Sequence, residues 1–285
     1  MLRNLVFIFL LSGLTLLAPL RAIETSGGFV STPVTVSGWN SGWSTVGATG
    51  ADYVGQVNSA SGVYLGDNWV LTAGHVGAGS FTLAGITYSA VSGSAHTLTS
   101  GSTSVDLTLF QISGTLTLNP LTIDTTPLTP FSSSNSPSQV VMIGYGTTGT
   151  QHETWGVDTV DLINQSVDLR PSYPYVSNDF ISYLGSVSNG STVTTNNSIL
   201  YVGDSGGGDF TYDSSSHSWV LAGINEVTDT TDTPNFSGFV QLSTYASQIQ
   251  SITGIGVVPE PSTWALFGLG VVFLALCFRR SQRTR

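Results

Sequence analysis

Short apolar runs separated by turn residues constrain the fold of this 285-residue chain more than any other feature. The runs are rich in β-branched and aromatic residues and end at Gly, Pro, Asn or Asp: VGQV, VYLG, WVLTA, FTLAGITYSAV, LTLFQI, VVMIGYG, FISYLG, ILYVG, WVLAGI and GFVQL. Such runs are typical of strands, and only the stretch 245–252 has a helical pattern. Two hydroxyl-rich stretches, 132–138 and 187–198, are predicted to be loops. The sequence therefore predicts an all-β barrel or sandwich with a short C-terminal helix.

The run GDSGGG at positions 203–208 has the composition of a nucleophile held in a loop of main-chain donors. A serine hydroxyl needs a base to remove its proton, and it needs donors for the negative charge that develops on the substrate oxygen. Glycine at 203 lets the N–H groups of Gly203 and Ser205 point at one spot, and the glycines at 206–208 leave room for substrate. Taken alone, the run would also fit an ordinary turn.

Two further segments supply partners for Ser205. WVLTAGHV (69–76) is an apolar strand that ends in small residues before His75, and VDLTLFQI (105–112) begins with Asp106 next to its first valine. His75 can act as base and then as acid, while Asp106 orients the imidazole. The alternatives are a buried structural histidine and an aspartate in a turn.

The order His, Asp, Ser and four supporting segments resemble the chymotrypsin/trypsin family of serine proteases. The supporting segments are GVYLGDNWVLTAGHV with its turn at 66–68, GYG at 144–146, WVLAGINEV at 219–227 and GFVQLSTYASQI at 238–249. The resemblance covers roughly residues 50–252. It implies two antiparallel six-stranded barrels with the site between them. It also implies an acyl-enzyme mechanism through His75, Asp106 and Ser205, with an oxyanion hole made by Gly203 and Ser205.

The resemblance also assigns residues around the substrate pocket. It places Ile199 at the pocket base, where trypsin-like members carry aspartate, and it aligns Thr228 and Gly238 with the walls. Because an apolar base cannot pair with Lys or Arg, we expect an apolar or small residue before the cut bond. Asp204 matches the family residue that pairs with a freed N-terminus, but the usual Ile-Val-Gly-Gly start is missing. Either Asp204 finds another donor, or the oxyanion hole forms without N-terminal cleavage.

Both ends of the chain have the pattern of export signals. Residues 1–22 combine a positive start, an apolar core and a small residue at Ala22, which is typical of a signal peptide. Residues 258–285 contain Pro-Glu-Pro, an apolar stretch at 264–278 that predicts a short membrane helix, and a basic end, and they resemble the PEP-CTERM sorting signal of Gram-negative bacteria. That resemblance implies transient inner-membrane anchoring, processing by an exosortase-type enzyme, and release to the cell surface or beyond. A permanent anchor is the alternative. The protease domain then spans 23–257.

Between the predicted signals the chain is strongly acidic. Residues 23–258 hold one basic side chain, Arg170, against sixteen carboxylates, a formal charge of −15, and the sequence has no lysine. This argues against nucleic acid or an anionic membrane surface as a partner, since both need basic patches. The one cysteine, Cys277, lies in the sorting segment, so we expect no disulfide in the protease domain. No metal or other cofactor is expected either.

These features predict a secreted serine endopeptidase that acts on proteins or peptides. Two other functions fit the same sequence. The first is a non-catalytic surface or biofilm-matrix protein that keeps the barrel as a binding scaffold. The second is a protease that acts mainly on itself or on its own tail. Reactivity of Ser205 distinguishes the first from an enzyme, and cleavage independent of protein concentration distinguishes the second.

Overall fold

Strands make up most of the regular structure of the protein. The computed structural model describes residues 23–25, 28–29, 36–146, 153–189, 192–231 and 234–256. In chain order the strands of these residues are β1 Glu24–Thr25, β2 Gly28–Phe29, β3 Val54–Val57, β4 Ala60–Gly66, β5 Trp69–Thr72, β6 Phe81–Leu83, β7 Ile86–Tyr88, β8 His96–Ser100, β9 Thr103–Gln111, β10 Gln139–Gly144, β11 Thr154–Thr159, β12 Leu162–Asp168, β13 Val176–Tyr183, β14 Gly185–Asn189, β15 Thr192–Asn196, β16 Ser198–Ile199, β17 Gly208–Asp213, β18 Ser218–Asp229 and β19 Phe236–Gln241. The helix α1 spans Ala246–Thr253, and 3₁₀ turns span Gly50–Tyr53 and Leu242–Thr244.

The first large sheet contains seven antiparallel strands in the order β7-β6-β3-β4-β5-β9-β8. Its edge closes where the segment after β7 meets the end of β9. There the N–H of Val91 donates to the carbonyl of Gln111 at 2.8 Å, and the N–H of Ser113 donates to the carbonyl of Ser89 at 2.8 Å. These bonds satisfy main-chain groups that an open edge would leave unpaired, so the sheet forms a barrel.

The second large sheet also has seven antiparallel strands, in the order β11-β10-β17-β18-β19-β13-β12. Its two edges are joined through the two residues between β11 and β12. The N–H of Val160 donates to the carbonyl of Ser138 at 3.0 Å, and the N–H of Asp161 donates to the carbonyl of Ile181 at 2.9 Å. The chain therefore changes its pairing partner from β10 to β13 at this corner, which closes the second barrel.

Each barrel has one strand more than the six that the family resemblance implies. In the first, the run FTLAGITYSAV forms a hairpin rather than one strand, because Ala84 and Gly85 adopt positive φ of 49° and 78° and turn the chain. In the second barrel, the corner between β11 and β12 divides this part of the chain into two strands, of which β11 pairs with β10 and β12 pairs with β13. The prediction of an all-β fold is confirmed, as is the helix near residues 245–252.

Two other sequence predictions need correction. The hydroxyl-rich stretch 187–198 is not simply a loop, because most of it pairs as the hairpin β14–β15 and as β16. The threonines of that stretch fit the pleated surface of a strand. The run ILYVG forms only the short strand β16, which pairs with β1, before the chain turns at 202–203.

A tryptophan-rich strap, residues 36–49, precedes the first barrel in the chain and packs against the second barrel. The ring of Trp39 packs edge-on against Trp219 at 4.7 Å, and Trp43 stacks on Trp219 at 5.8 Å. The indole N–H of Trp219 donates to the carbonyl of Gly38 at 3.0 Å. Such aromatic pairs contribute about 0.5–1.5 kcal/mol each beyond their buried area. The strap therefore stabilises the interface between the barrels in a domain whose sequence has no cysteine.

The two predicted export signals lie outside the described residues. The signal peptide at 1–22 and the sorting segment at 258–285, with its apolar stretch at 264–278, are not among them. Within the described part of the chain, no helix is both long enough and apolar enough to cross a membrane.

Candidate active site

His75 and Asp106 form a close pair at one end of the first barrel. Strand β5 ends at Thr72 and delivers His75 three residues later, while Asp106 lies inside β9. The Nδ1 atom of His75 lies 2.6 Å from Oδ2 of Asp106, and the His75 main-chain N–H donates to Oδ1 at 2.7 Å. Asp106 is fully buried, and the His75 side chain is 15% exposed. With its proton held on Nδ1 by the carboxylate, the imidazole keeps its Nε2 lone pair free to act as a base.

In the loop that carries Ser205, two main-chain N–H groups have no acceptor in the described part of the chain. Asp204, Gly206 and Gly207 donate their N–H groups to main-chain carbonyls at distances of 2.8–3.0 Å. The N–H groups of Gly203 and Ser205 donate to no acceptor among the described residues. Gly203 reaches the required turn with φ of 95°. Two unused donors in one tight turn are what a developing oxyanion needs.

The Ser205 loop belongs to the second barrel but is fastened to the first. The N–H of Ser61 donates to the carbonyl of Ser205 at 2.9 Å, and Oγ of Ser61 donates to the carbonyl of Gly203 at 3.0 Å. Gly206 adopts φ of 84°, and a Cβ there would collide with the carbonyl of Ser61 and with Oγ1 of Thr72. The loop therefore lies against the end of β5, the strand that leads to His75. The Ser205 hydroxyl and His75 do not hydrogen-bond to each other in this structure, and such contacts often tighten only when substrate binds.

Two family models match the sequence. One, named Trypsin, covers residues 42–249, and the other, the PEP-CTERM protein-sorting motif, covers residues 257–281. The chain belongs to the trypsin family. It is a trypsin-like serine protease, and its sorting motif implies export, processing by an exosortase, and a surface or extracellular location.

Several solved structures resemble this trypsin-family protein in fold. An inactive form of Rv3671c from M. tuberculosis has 16% identity and a TM-score of 0.49, with 72% of this chain and 88% of that chain covered. Neuropsin, a serine protease expressed in the limbic system of mouse brain, has 16% identity and a TM-score of 0.49, with coverage of 70% and 94%. The HtrA-type protease AlgW has 17% identity and a TM-score of 0.44, with coverage of 70% and 53%. At these values the likeness says nothing about substrates. No curated protein matches the sequence.

Asp204, the neighbour of Ser205, has main-chain donors in this trypsin-family protein. Its carboxylate is fully buried and accepts the N–H of Tyr201 at 2.8 Å and the N–H of Gly146 at 3.1 Å. Burial raises the pKa of Asp204 to about 8, and these two bonds only partly offset it. In the structure the Asp204 carboxylate thus has donors other than a freed N-terminus, which is the first of the two alternatives that the sequence leaves open.

Ile23, the first described residue, is linked to Asp204 through Thr154 and Gly144. Ile23 is fully buried, and its main-chain N–H donates to Oγ1 of Thr154 at 3.1 Å. That hydroxyl donates in turn to the carbonyl of Gly144 at 3.2 Å. Gly144 packs directly on the Asp204 carboxylate, where a Cβ would collide with Oδ1. The sequence resemblance missed this link because Ile23 is not followed by the family's usual residues.

A cavity of about 170 Å³ opens beside Ser205. Its lining residues are Leu200, Tyr201, Val202, Gly203, Ser205, Glu226, Val227 and Thr228. Thr228, one of the predicted pocket residues, is among them. Ile199 and Gly238 are not among the lining residues: Ile199 pairs with Glu24 in the β1–β16 ladder, and Gly238 pairs with Ile181 and Val227 inside the second barrel.

Sequence reasoning missed two groups of residues next to the pair of His75 and Asp106. The ring of Tyr173 lies 5.1 Å from that of His75 and is 45% exposed. Behind Asp106 lie two buried carboxyls, Asp179 and Glu226. Glu226 lies just after the apolar part of β18, but Asp179 follows the polar residues Ser177 and Asn178, so the sequence pattern does not mark both acids. No group of three His, Cys, Asp or Glu side chains in the described part of the chain is arranged to hold a metal ion.

Proposed function

We propose that this protein is a secreted serine endopeptidase in which Ser205 is the nucleophile, His75 the base and acid, and Asp106 the residue that orients His75. The observation that carries the proposal is the pair of unused N–H groups, on Gly203 and Ser205, beside a histidine that a buried carboxylate holds in one tautomer. Both parts of acyl-transfer chemistry, the activated nucleophile and the oxyanion donors, are then supplied by one site.

The reaction proceeds in two halves. As Oγ of Ser205 bonds to the carbonyl carbon, its proton passes to Nε2 of His75, and the carbonyl oxygen becomes an oxyanion held by the N–H groups of Gly203 and Ser205. The C–N bond then breaks, and His75 gives the proton to the leaving amine. Water attacks the acyl-enzyme by the same steps, with His75 again as base, and regenerates the Ser205 hydroxyl.

The cavity beside Ser205 supports a preference for apolar or small residues before the cut bond. Leu200, Val202 and Val227 contribute to its lining, and the carboxyl of Glu226 is buried rather than presented to solvent. A pocket of this size accepts a small or medium aliphatic side chain. A peptide panel with single changes at this position tests the preference, and cleavage only after Lys and Arg would overturn it.

Removal of a signal peptide after Ala22 would leave a free amine at Ile23, which Thr154 and Gly144 link to Asp204. Ile23 would then be the first residue, and its nitrogen already lies one hydroxyl group away from Gly144, which packs on the Asp204 carboxylate. We infer that this ammonium group strengthens the hold on the Ser205 loop, because charge-assisted hydrogen bonds are the stronger ones. The experiment compares protein that starts at Ile23 with protein that retains Ala22. The protein that retains Ala22 should turn over substrate at least about tenfold more slowly than the protein that starts at Ile23. Equal rates would contradict the role of the amine.

One experiment separates the proposed enzyme from the two other functions. Ser205→Ala should lower turnover of a peptide substrate by roughly 10⁶-fold with little change in binding. A binding scaffold would show no turnover in either protein. A self-processing protease would cleave its own chain at a rate independent of protein concentration, and this cleavage would be absent in Ser205→Ala.

A further inference from the structure

Three buried carboxyls from three strands meet behind His75. Asp106 lies in β9, Asp179 in β13 and Glu226 in β18, and their exposed fractions are 0%, 0% and 4%. Buried carboxyls are normally paired with cations or with several donors. Asp106 has His75, so the question is what Asp179 and Glu226 do.

A serine hydroxyl connects Glu226 to Asp106. The main-chain N–H of Asp106 donates to Oγ of Ser177 at 3.1 Å, and the same hydroxyl donates to Oε1 of Glu226 at 2.7 Å. A hydroxyl has one proton to give. Because Ser177 donates that proton in its hydrogen bond to Glu226, the lone pairs of the Ser177 hydroxyl remain to accept the main-chain N–H of Asp106. Glu226 therefore fixes the direction of the bond that holds the Asp106 main chain.

The second oxygen of Glu226 faces another carboxyl. Oε2 of Glu226 and both oxygens of Asp179 are buried and have no hydrogen-bond partner among the described residues, and the two carboxyls are near enough to influence each other. Two ionised carboxylates only accept, so a hydrogen bond between them requires a proton on one of them. Burial raises the pKa of both Glu226 and Asp179. Asp179 raises the pKa of Glu226 further, whereas Glu226 partly offsets the rise in the pKa of Asp179.

Arg170 lines a cavity together with Ser177 and Tyr245 but is bound to Asp168, and no cation among the described residues contacts the pair of Glu226 and Asp179. Asp106 faces it from β9, with His75 on the far side of that carboxylate. Tyr245 faces it from the segment before α1, with its hydroxyl accepting the N–H of Asn178 at 2.9 Å. Tyr175 faces Asp106 and donates to the carbonyl of Gly74 at 3.0 Å. If the shared proton were lost, a further negative charge would be added behind Asp106 in a low-dielectric interior.

We propose that Glu226 is a positioning residue for Asp106 and His75, that it acts through Ser177, and that it works in its neutral form by sharing a proton with Asp179. The proposal rests on the proposed function of Asp106 and His75. Its consequence is an alkaline limit to activity: when the pair loses its proton, repulsion displaces Asp106 and with it the His75 ring that Asp106 holds.

The test compares Glu226→Gln with Glu226→Ala in the pH profile of kcat/KM. Glutamine keeps an acceptor for Ser177 and a donor for Asp179 without an ionisable proton. It should retain kcat/KM within about threefold at neutral pH and move the alkaline midpoint up by about one pH unit. Alanine leaves Ser177 without its acceptor and should lose more than about tenfold. Asp209→Asn is the control, because it removes a buried carboxyl of the same barrel that has no bond toward Asp106; its alkaline midpoint should match that of the unchanged protein.

Two results would overturn the proposal. One is an alkaline midpoint in Glu226→Gln that coincides with that of the unchanged protein. The other is an equal loss of activity in the Gln and Ala variants when thermal unfolding shows both to be folded. Infrared spectra give a readout that needs no activity: Glu226→Gln should lack one protonated-carboxyl band at neutral pH, and a retained band would also overturn the shared proton. If Ser205 proves unreactive while this band is lost on substitution, the proposed function fails and the proton-sharing pair stands.

Discussion

Asp106 contacts His75 at two points. Its Oδ2 atom lies 2.6 Å from Nδ1 of the ring, and its Oδ1 atom accepts the main-chain N–H of the same residue at 2.7 Å. The side chain and the backbone of His75 are thus fixed by one fully buried carboxylate. The ring can neither rotate nor change tautomer without losing a charge-assisted bond.

Asp106→Asn should therefore impair catalysis far more than folding. The amide can still accept one bond but holds the wrong tautomer of His75, as seen when the equivalent change is made in other serine proteases, so kcat should fall by about 10⁴-fold. Steady-state kinetics with a peptide substrate measures the effect. Asp168→Asn is the control, because Asp168 is an exposed carboxylate paired with Arg170, and kcat should not change. A loss of less than about tenfold in Asp106→Asn would remove Asp106 from the mechanism.

Tyr173 should contribute to substrate binding through its contact with His75. Its ring lies 5.1 Å from the imidazole, and it is 45% exposed, so it offers an apolar wall beside the base. Tyr173→Ala should lower kcat/KM by roughly tenfold for substrates with an apolar side chain next to that wall. Tyr212→Ala is a matched control, since Tyr212 is also 45% exposed but packs on Trp219. Equal kcat/KM values for the two variants would contradict this role.

Gly206→Ala should abolish activity by displacing the Ser205 loop. A Cβ at this position would collide with Ser61 and Thr72, and the residue also has φ of 84°. Gly85→Ala serves as the control because it has a similar φ of 78° with open space around it. The control should lose only about 1–2 kcal/mol of unfolding free energy and keep full turnover. Comparable activity in the two variants would show that the loop is not fixed by this contact.

The buried acids make the fold more stable in acid than in base. Burial raises the pKa of Asp204 to about 8 and that of Asp158 to about 7, and it raises the pKa of Asp209 well above its ordinary value. The folded state therefore holds protons that the unfolded chain releases above about pH 4. Their contribution is fully present below that pH and is lost as the pH rises through the folded-state pKa values. The free energy of unfolding should thus fall between about pH 5 and pH 8.5.

Asp209→Asn tests the origin of this pH dependence. The variant cannot ionise at that position, so urea denaturation at about pH 5 and pH 8.5 should show a smaller fall than in the unchanged protein. Asp168→Asn, which changes an exposed carboxylate, should leave the fall unaltered. If the free energy of unfolding of Asp209→Asn falls as much between these two pH values as that of the unchanged protein, Asp209 carries no proton in the folded state.

The local features of the fold could be predicted from the sequence, and the long-range ones could not. The turn at Gly66, Asp67 and Asn68 is confirmed, since all three residues have positive φ, as short polar and glycine residues allow. The seventh strand of the second barrel was missed because it depends on which partner strand lies nearby. At Val160 the chain exchanges one partner for another, and no local pattern marks that position.

The site shows the same division. WVLTAGHV, VDLTLFQI and GDSGGG are short runs, and the three together, in this order along the chain, point to the chemistry of the site. The contact of Glu226 with Asp179 and Ser177 joins residues about fifty positions apart, and the packing of Trp39 on Trp219 joins the strap to β18. Contacts of this kind arise only when the barrels close, so the sequence alone gave no reason to pair these side chains.

Labelling with a fluorophosphonate probe tests the central proposal most directly. The probe reacts with a serine only when a base and an oxyanion hole activate it. The unchanged protein should be labelled, with the modified peptide mapped to Ser205 by mass spectrometry, and Ser205→Ala should not be labelled. Absence of labelling in folded, unchanged protein would contradict an active nucleophile at Ser205.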